Sequence, residues 1–229
     1  LVWGLTLLLG WPQEILFATA LIALAPAANA TPAMSKMLGG NAVLTLKVFI
    51  ISHVIACFSI PGVIGLLTHS EIPIAQGAKQ IFDTIQPLIT IPLALAFGLR
   101  ALYPRLSDKI VELQEYTFAL WGASVMLILS KASHDVRQMG AGELWESGAL
   151  QQMAFVSLFL CLLLYTLGWL WERKSYPIEG AQSMGQKNTL LVIWISQLYV
   201  GPIATLGPVF YVVWQNILLS WLPNKLQLN

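Results

Sequence analysis

Long apolar runs alternate with short polar segments along the chain, and this pattern predicts a bundle of membrane-spanning helices. Five apolar runs come close to the roughly 20 residues that a transmembrane helix needs. They cover residues 42–67, 82–99, 115–129, 151–169 and 202–221. Residues 1–9 have the composition of the end of a further span, and the polar residues 68–79 predict an external loop. The pattern therefore predicts an all-α membrane protein.

Two other apolar segments, one near each end of the chain, are interrupted by polar residues, glycine and proline. The first break, at residues 26–35, follows a predicted half-helix at 13–25, and the second, at 180–188, interrupts the element at 176–198. Free backbone N–H and C=O groups are costly in hydrocarbon, so such breaks persist only against protein or in a watery cavity. A pair of interrupted segments in two halves of a chain is typical of the binding site of a secondary transporter.

Composition assigns the chain to the membrane proteins. The hydrophobic fraction is 57% and the charged fraction 10%, whereas a soluble domain carries about 25% charged residues. We expect an integral membrane protein that contacts the lipid bilayer, and the net charge of +1 gives no reason to expect nucleic acid as a partner. Lys and Arg residues near the span ends are concentrated on one side, which predicts a cytoplasmic C-terminus.

Lys187 lies inside the second break, between Gln186 and Asn188. An ammonium group within a bilayer is costly unless it is paired or hydrated, so it marks a functional site by default. We interpret Lys187 as a fixed cation at a substrate or coupling-ion site. The alternative is a lysine that snorkels to the cytoplasmic face.

Hydroxyl and amide side chains cluster at the two breaks and on the span after the first. Their oxygen atoms can coordinate small cations or bind organic anions, although each could also form a helix–helix hydrogen bond. The set consists of Thr31, Ser35, Thr45, Ser183 and Asn188. Further candidates, for which structural or solvated roles are the alternatives, are His53 in mid-span and Glu179 and Gln182 near the second break.

Other chemistry is not indicated by the sequence. It contains no catalytic constellation and no metal-ligand spacing, so we expect neither an enzyme nor a bound cofactor. Cys57 and Cys161 each lie inside an apolar run and are predicted to be buried. His134 and Asp135 are predicted to lie in a solvated loop.

With these residues, the chain resembles the bile acid:sodium symporter family over nearly its whole length. The family's first crossover motif, approximately Pro-Gly-Gly-x-x-Ser-Asn, is similar to Pro-Ala-Ala-Asn-Ala-Thr-Pro at residues 26–32. Its second, approximately Glu-x-Gly-x-Gln-Asn, is similar to Ser-Met-Gly-Gln-Lys-Asn at residues 183–188, and its closing Trp-His-Asn triplet to Trp-Gln-Asn at 214–216. A less favoured register, which needs a gap, places Glu179 and Gln182 on the family's Glu and Gln.

The resemblance implies an inverted-repeat transporter with a panel domain, a core domain and two broken helices that cross near the midplane. Such proteins have ten helices, of which this chain would hold about seven to eight, beginning partway into the first repeat. Residues 1–67 would then be the end of the first repeat, 68–79 a loop, 80–222 the second repeat and 223–229 a cytoplasmic tail.

Several sodium ligands of the family are replaced here. Pro32 stands in place of the family's Asn, Ser183 in place of its Glu and Lys187 in place of its Gln, whereas Thr31 and Thr45 keep hydroxyl groups. Two positive charges about 4 Å apart repel by about 4 kcal/mol at an effective dielectric constant near 20. The resemblance with these changes implies that sodium does not bind and that the Lys187 ammonium takes the place of the cation.

The implied function is sodium-independent secondary transport of a small organic anion by alternating access, in a bacterial inner membrane. Uniport, exchange and proton coupling through Lys187 or His53 all stay open. The residues expected to bind substrate or ion are Asn29, Thr31, Pro32, Ser35, Thr45, Ser183, Lys187 and Asn188. Two alternatives are an arsenite- or auxin-type efflux carrier, which Cys57 supports only weakly, and a non-transporting membrane sensor or scaffold of the same fold. Substrate identity, direction, coupling ion and oligomeric state are not determined by the sequence.

Overall fold

The computed structural model of the protein describes residues 10, 12–68 and 74–226. Within these residues the chain forms eleven α-helices and two 3-10 turns, and no β-sheet. The helices are α1 (Gln13–Leu24), α2 (Thr31–Met37), α3 (Ala42–Thr68), α4 (Ile74–Leu102), α5 (Pro104–Glu112), α6 (Thr117–Gln138), α7 (Ala141–Glu146), α8 (Ala149–Trp171), α9 (Pro177–Gly185), α10 (Thr189–Tyr199) and α11 (Leu206–Leu226).

Three helical segments of the described chain are long and apolar enough to cross a membrane. They run over Ala42–Leu66, Ala149–Trp171 and Ile203–Ser220. The helices α1 and α10 are shorter apolar helices, and each belongs to a broken element, α1–α2 or α9–α10. The predicted all-α membrane fold with two broken helices is confirmed.

Each broken element is followed by a long helix, α3 after the first and α11 after the second. Counting each broken element as one helix, and setting aside the short helices α5 and α7, leaves seven helices in the described residues. This count agrees with the seven to eight helices expected from the sequence.

The apolar half-helices α1 and α10 lie at the centre of the bundle. One buried cluster joins Leu21 of α1, Ile60 of α3, Cys161 of α8, Ile195 of α10 and Tyr211 of α11. Lipid tails are as apolar as these side chains, so close packing rather than hydrophobic burial holds such helices together. The packing holds the two broken elements against each other.

A pair of glycines brings α8 and α9 into backbone contact. A Cβ atom at Gly168 would collide with the carbonyl oxygen of Gly180, and a Cβ at Gly180 would collide with that of Gly168. Small residues allow helix backbones in membranes to approach this closely. The contact sets the position of α9 and therefore of the second break.

The structure corrects the limits of both breaks. The first extends over residues 25–30, because α2 already begins at Thr31, so Pro32 and Ser35 are helical. Pro32 is tolerated in the first turn of α2 because the N–H that proline lacks would have no partner within the helix there. The second break is confined to residues 186–188, because α9 continues through residues 180–185.

Other sequence-based boundaries are also wrong. The predicted loop at residues 68–79 is helical from Ile74, and its residues 69–73 lie outside the described part. His134 and Asp135 lie on α6 rather than in a loop. Of the predicted tail, residues 223–226 continue α11. The predicted span end at residues 1–9 lies outside the described residues, as do residues 227–229.

Candidate functional site

The two breaks pair with each other. Ala27 and Lys187 form an isolated antiparallel bridge. The Ala28 N–H donates to the Gln186 carbonyl at 2.9 Å, and the Asn188 N–H donates to the Pro26 carbonyl at 2.8 Å. Because non-helical backbone inside a membrane needs partners within the protein, each break supplies hydrogen bonds that the other requires.

Two side chains from the long helices complete this pairing. The Ala27 N–H donates to the Ser52 hydroxyl of α3 at 3.1 Å, and the Lys187 N–H donates to Gln215 Oε1 of α11 at 3.2 Å. The long helices α3 and α11 therefore each supply a side chain that binds the backbone of one break. Neither Ser52 nor Gln215 is among the site residues predicted from the sequence, although Gln215 lies in the Trp-Gln-Asn triplet at residues 214–216.

The ammonium group of Lys187 binds the end of the first half-helix. Its Nζ donates to the carbonyl oxygen of Ala25 at 2.9 Å and to that of Ala23 at 3.2 Å. The last carbonyls of a helix have no partner within it and carry the negative end of the helix dipole. Lys187 is 8% exposed, and within the described residues it forms no ion pair with a carboxylate. A buried cation from one broken helix thus caps the other.

Asn188 joins the second break to α3. Its Oδ1 accepts a hydrogen bond from the Leu191 N–H at 3.3 Å and so caps the start of α10. Its Nδ2 lies 3.3 Å from Nε2 of His53. The His53 ring is buried, with Nδ1 2.8 Å from the Phe49 carbonyl oxygen. Asn188 and His53, both selected from the sequence, therefore form one hydrogen-bonded unit.

Glu179 binds the start of α3. Its Oε1 accepts a hydrogen bond from the Asn41 backbone N–H, and Asn41 Oδ1 accepts from Val43 N at 3.0 Å. Gly40 packs on this carboxylate, since a Cβ there would lie 3.1 Å from Glu179 Oε1. The carboxylate thus ties α9 to the turn that leads from α2 into α3.

The remaining candidate oxygens fall into two groups. The Thr45 hydroxyl donates to the Ala42 carbonyl of its own helix at 3.1 Å. Other buried side-chain oxygens have no hydrogen-bond partner among the described residues; at the broken elements they are Thr31 Oγ1, Ser35 Oγ, Gln182 Oε1, Ser183 Oγ and Gln186 Oε1. All of these are neutral oxygens. They lie on α2, on α9, which packs against α2, and in the second break.

A cavity of about 240 Å³ lies beside the crossing. The polar residues lining it are Asn29, Ser124, Lys187, Asn188, Thr189, Gln215 and Asn216. Val125 and Ile128 of α6 form part of its wall. Three predicted site residues therefore share a cavity with two amides of α11 and a hydroxyl of α6 that were not among the predicted residues.

A second cavity, of about 230 Å³, adjoins the first, because Ile128 and Leu190 line both. It reaches Lys131 and Asp135 of α6, which form an ion pair at 2.7 Å. The face of α6 that includes Ile128 therefore lines a cleft from the crossing to this ion pair.

Ser183 and Glu179 line a different space. They lie in a groove of about 370 Å³ that also includes Trp171 and Tyr176. The predicted residues therefore do not form one site: Asn29, Lys187 and Asn188 share one cavity, and Glu179 and Ser183 share another.

Comparison with known proteins gives one family. The model of the Sodium Bile acid symporter family matches residues 1–138, which is more than half of the chain. The match includes the first break and ends with α6, whereas the second break lies beyond it. No curated protein matches the chain.

Proposed function

The chain belongs to the sodium bile acid symporter family, and we propose that it transports an organic anion by alternating access without sodium. The observation that carries the sodium-independent part is the pair of hydrogen bonds from Lys187 Nζ to the carbonyls of Ala23 and Ala25. Members of the family are membrane transporters, and membership therefore supports a transport function for this chain.

Lys187 supplies a positive charge at the crossing without a bound ion. Its ammonium lies on the carbonyl end of α1, where the helix dipole favours a cation, while its backbone pairs with Ala27. One residue thus joins both breaks. Because Lys187 belongs to the chain, this link does not need a bound ion.

Sodium fits the residues at the crossing poorly. The carbonyl oxygens of Ala23 and Ala25 bind the Lys187 ammonium, and the Glu179 carboxylate accepts the Asn41 N–H. The oxygens without partners at the broken elements are neutral and so cannot offset the charge of Lys187. A second cation there would be repelled by the first.

The cavity beside the crossing is the proposed substrate site. Asn29, Asn188, Gln215 and Asn216 line it and can donate hydrogen bonds to a carboxylate or sulfonate. Lys187 also lines it, and α10 begins there with the positive end of its dipole. A small organic anion is the substrate class that these groups favour.

Alternating access would change the distance between α6 and the crossing. Ser124, Val125 and Ile128 of α6 form one wall of the cavity, and residues of the second break form the other. Movement of α6 with its neighbours as the panel, against the broken helices as the core, would open the cavity to one side at a time.

The repeat assignment forms part of this proposal. Residues 1–67 would end the first inverted repeat and residues 80–222 would form the second. The antiparallel bridge between Ala27 and Lys187 supports it, because equivalent breaks of inverted repeats should meet in antiparallel directions. The C-terminus would lie in the cytoplasm of a bacterial inner membrane.

The test is uptake of radiolabelled taurocholate, pyruvate and succinate into proteoliposomes that contain the full-length protein. Each anion is measured with sodium, with choline and with an inward proton gradient, and exchange is measured with the same anion on both sides. We expect saturable uptake that is equal in sodium and choline and is lost in Lys187→Gln. Lys174→Gln, which changes an exposed lysine after α8, is the matched control.

Sodium-dependent uptake would overturn the role given to Lys187 and would indicate Glu179 and Gln182 as the ion site. Absence of saturable flux and exchange for all three anions would overturn transport itself and favour a non-transporting sensor of the same fold. An arsenite carrier has little support, since Cys57 packs in the apolar cluster with Ile60.

A further inference from the structure

We infer that His53 binds a coupling proton and that Asn188 transmits its protonation state to the crossing of the broken helices. The inference rests on the proposed transport function, for which it identifies the coupling ion. It is carried by the chain of hydrogen bonds from Phe49 through His53 and Asn188 to Leu191.

The protonation state of His53 follows from its partners. Its Nδ1 lies 2.8 Å from the Phe49 carbonyl oxygen, which can only accept, so Nδ1 carries a hydrogen. On the other side, Nε2 lies 3.3 Å from Asn188 Nδ2. An amide nitrogen only donates, so Nε2 accepts and the ring is neutral.

The orientation of the Asn188 amide is fixed by the helix that it caps. Its Oδ1 accepts the Leu191 N–H, so only its Nδ2 can face His53. The Asn188 backbone N–H is bonded to the Pro26 carbonyl of the other break. While His53 is neutral, the side-chain oxygen, the side-chain nitrogen and the backbone N–H of Asn188 therefore each have a fixed partner.

A proton on Nε2 breaks this arrangement. Protonated Nε2 donates, and it then faces the Nδ2 donor of Asn188. Rotation of the amide would give Oδ1 to His53 but would place the NH₂ group against the Leu191 N–H. In either case a hydrogen bond at the start of α10 is lost. Asn188 lines the proposed substrate cavity, so one proton changes that cavity.

The charges near His53 favour joint binding of a proton and an anion. Within the described residues, no carboxylate forms an ion pair with His53. Lys187, the neighbour of Asn188, adds a positive charge that has no carboxylate partner among the described residues and that a substrate anion would balance.

Other ionisable residues of the elements packed against α3 are placed as follows. Glu179 of α9 accepts the Asn41 N–H, and Lys36 of α2 is exposed. Glu14 lies in the first turn of α1. On α4, Lys79 forms an ion pair with Asp83, and Arg100 is exposed. Lys47, which lies on α3 itself, is also exposed. Glu179 and the Lys79–Asp83 pair bind groups other than His53, and Lys36, Lys47 and Arg100 are exposed whereas His53 is buried. The anion in the cavity is therefore the expected counter-charge.

The experiment uses the full-length protein in liposomes that contain the pH dye pyranine. The probes are taurocholate, pyruvate and succinate, each added outside at equal pH, and exchange of the same labelled anion is measured in parallel. For the wild type we expect proton influx with the transported anion. His53→Gln should lose the proton influx and keep the exchange. His134→Gln, at an exposed histidine on α6, is the matched control and should keep both.

A second variant covers the case in which His53→Gln fails to fold. In His53→Asn the side chain likewise cannot take up a proton, and its amide N–H can still donate to the Phe49 carbonyl as Nδ1 does. We expect this variant to exchange anions without proton influx.

Three results would overturn the inference. Exchange without proton influx in the wild type would reject it and leave transport intact. Proton influx that survives in His53→Gln, or in His53→Asn where His53→Gln does not fold, would reject His53 as the site. Absence of exchange in the wild type would overturn the transport function and this inference together.

Discussion

The Nζ atom of Lys187 donates a hydrogen bond to the carbonyl oxygen of Ala25 at 2.9 Å. A cation from the second broken helix therefore caps the end of α1 in the first. The two residues are far apart in the sequence and meet only because the breaks cross. The same lysine carries the backbone bridge to Ala27. This relationship makes the stability of the crossing depend on one charged side chain.

Lys187→Met should therefore destabilise the protein. It removes a charged donor from two carbonyls at the end of α1, and leaving such groups without partners costs about 1–3 kcal/mol. Thermal unfolding in detergent measures the change, with Lys174→Met as the control. A variant as stable as the wild type would show that the ammonium does not hold the crossing together.

Two variants of Glu179 distinguish a structural role of this residue from an ion-binding role. Glu179→Gln keeps an oxygen that accepts the Asn41 N–H, so we expect near wild-type stability and uptake. Glu179→Ala removes the acceptor at the start of α3 and should cost about 1–3 kcal/mol in the free energy of unfolding. Loss of uptake in a well-folded Glu179→Gln protein would indicate that the negative charge itself is needed.

Gly168→Ala should destabilise the contact between α8 and α9. The added Cβ would collide with the backbone of Gly180, which cannot move aside as a flexible side chain can. Overpacking of this kind costs about 1–3 kcal/mol or more. Gly62→Ala on α3 is the control, because a Cβ there meets nothing within 4 Å. Equal melting temperatures for the two variants would contradict the proposed backbone contact.

Ile128→Trp should block transport without unfolding the protein. Ile128 lines both cavities of the cleft between α6 and the crossing, and an indole there would fill space that the anion needs. We expect uptake to fall to the level of protein-free liposomes while the melting temperature stays close to that of the wild type. Met126→Trp places the same side chain at an exposed position of α6 and should transport normally. Normal transport by Ile128→Trp would show that the anion does not pass through this cleft.

Lys131→Gln tests whether the far end of the cleft attracts the anion. Lys131 is paired with Asp135 at 2.7 Å, and loss of one positive charge should raise KM by about two- to fivefold at low ionic strength and less in high salt. Lys79→Gln provides a close control, because Lys79 and Asp83 form the same kind of i,i+4 pair on α4. Equal KM values for the two variants would exclude a role of Lys131 in steering.

The sequence pattern predicted the helices and the two breaks more accurately than it predicted their boundaries. Residues 180–185 looked like part of a break because they contain two glycines and two polar side chains, yet they continue α9. Gly180 packs on Gly168 of α8, so the glycine at this position allows a close helix contact and does not mark a break. A glycine read alone could mark either a break or a close helix contact.

The sequence by itself determined the membrane class, the two broken helices and the presence of a lysine within the second of them, because hydrophobic length and a charge inside an apolar segment are local properties. Only the tertiary structure decided which groups meet: Lys187 with Ala25, Asn188 with His53, and Glu179 with Asn41. It also decided that Glu179 and Ser183 line a different cavity from Lys187. Such contacts depend on how helices distant in sequence cross and rotate about their axes, which the packing of the whole bundle sets.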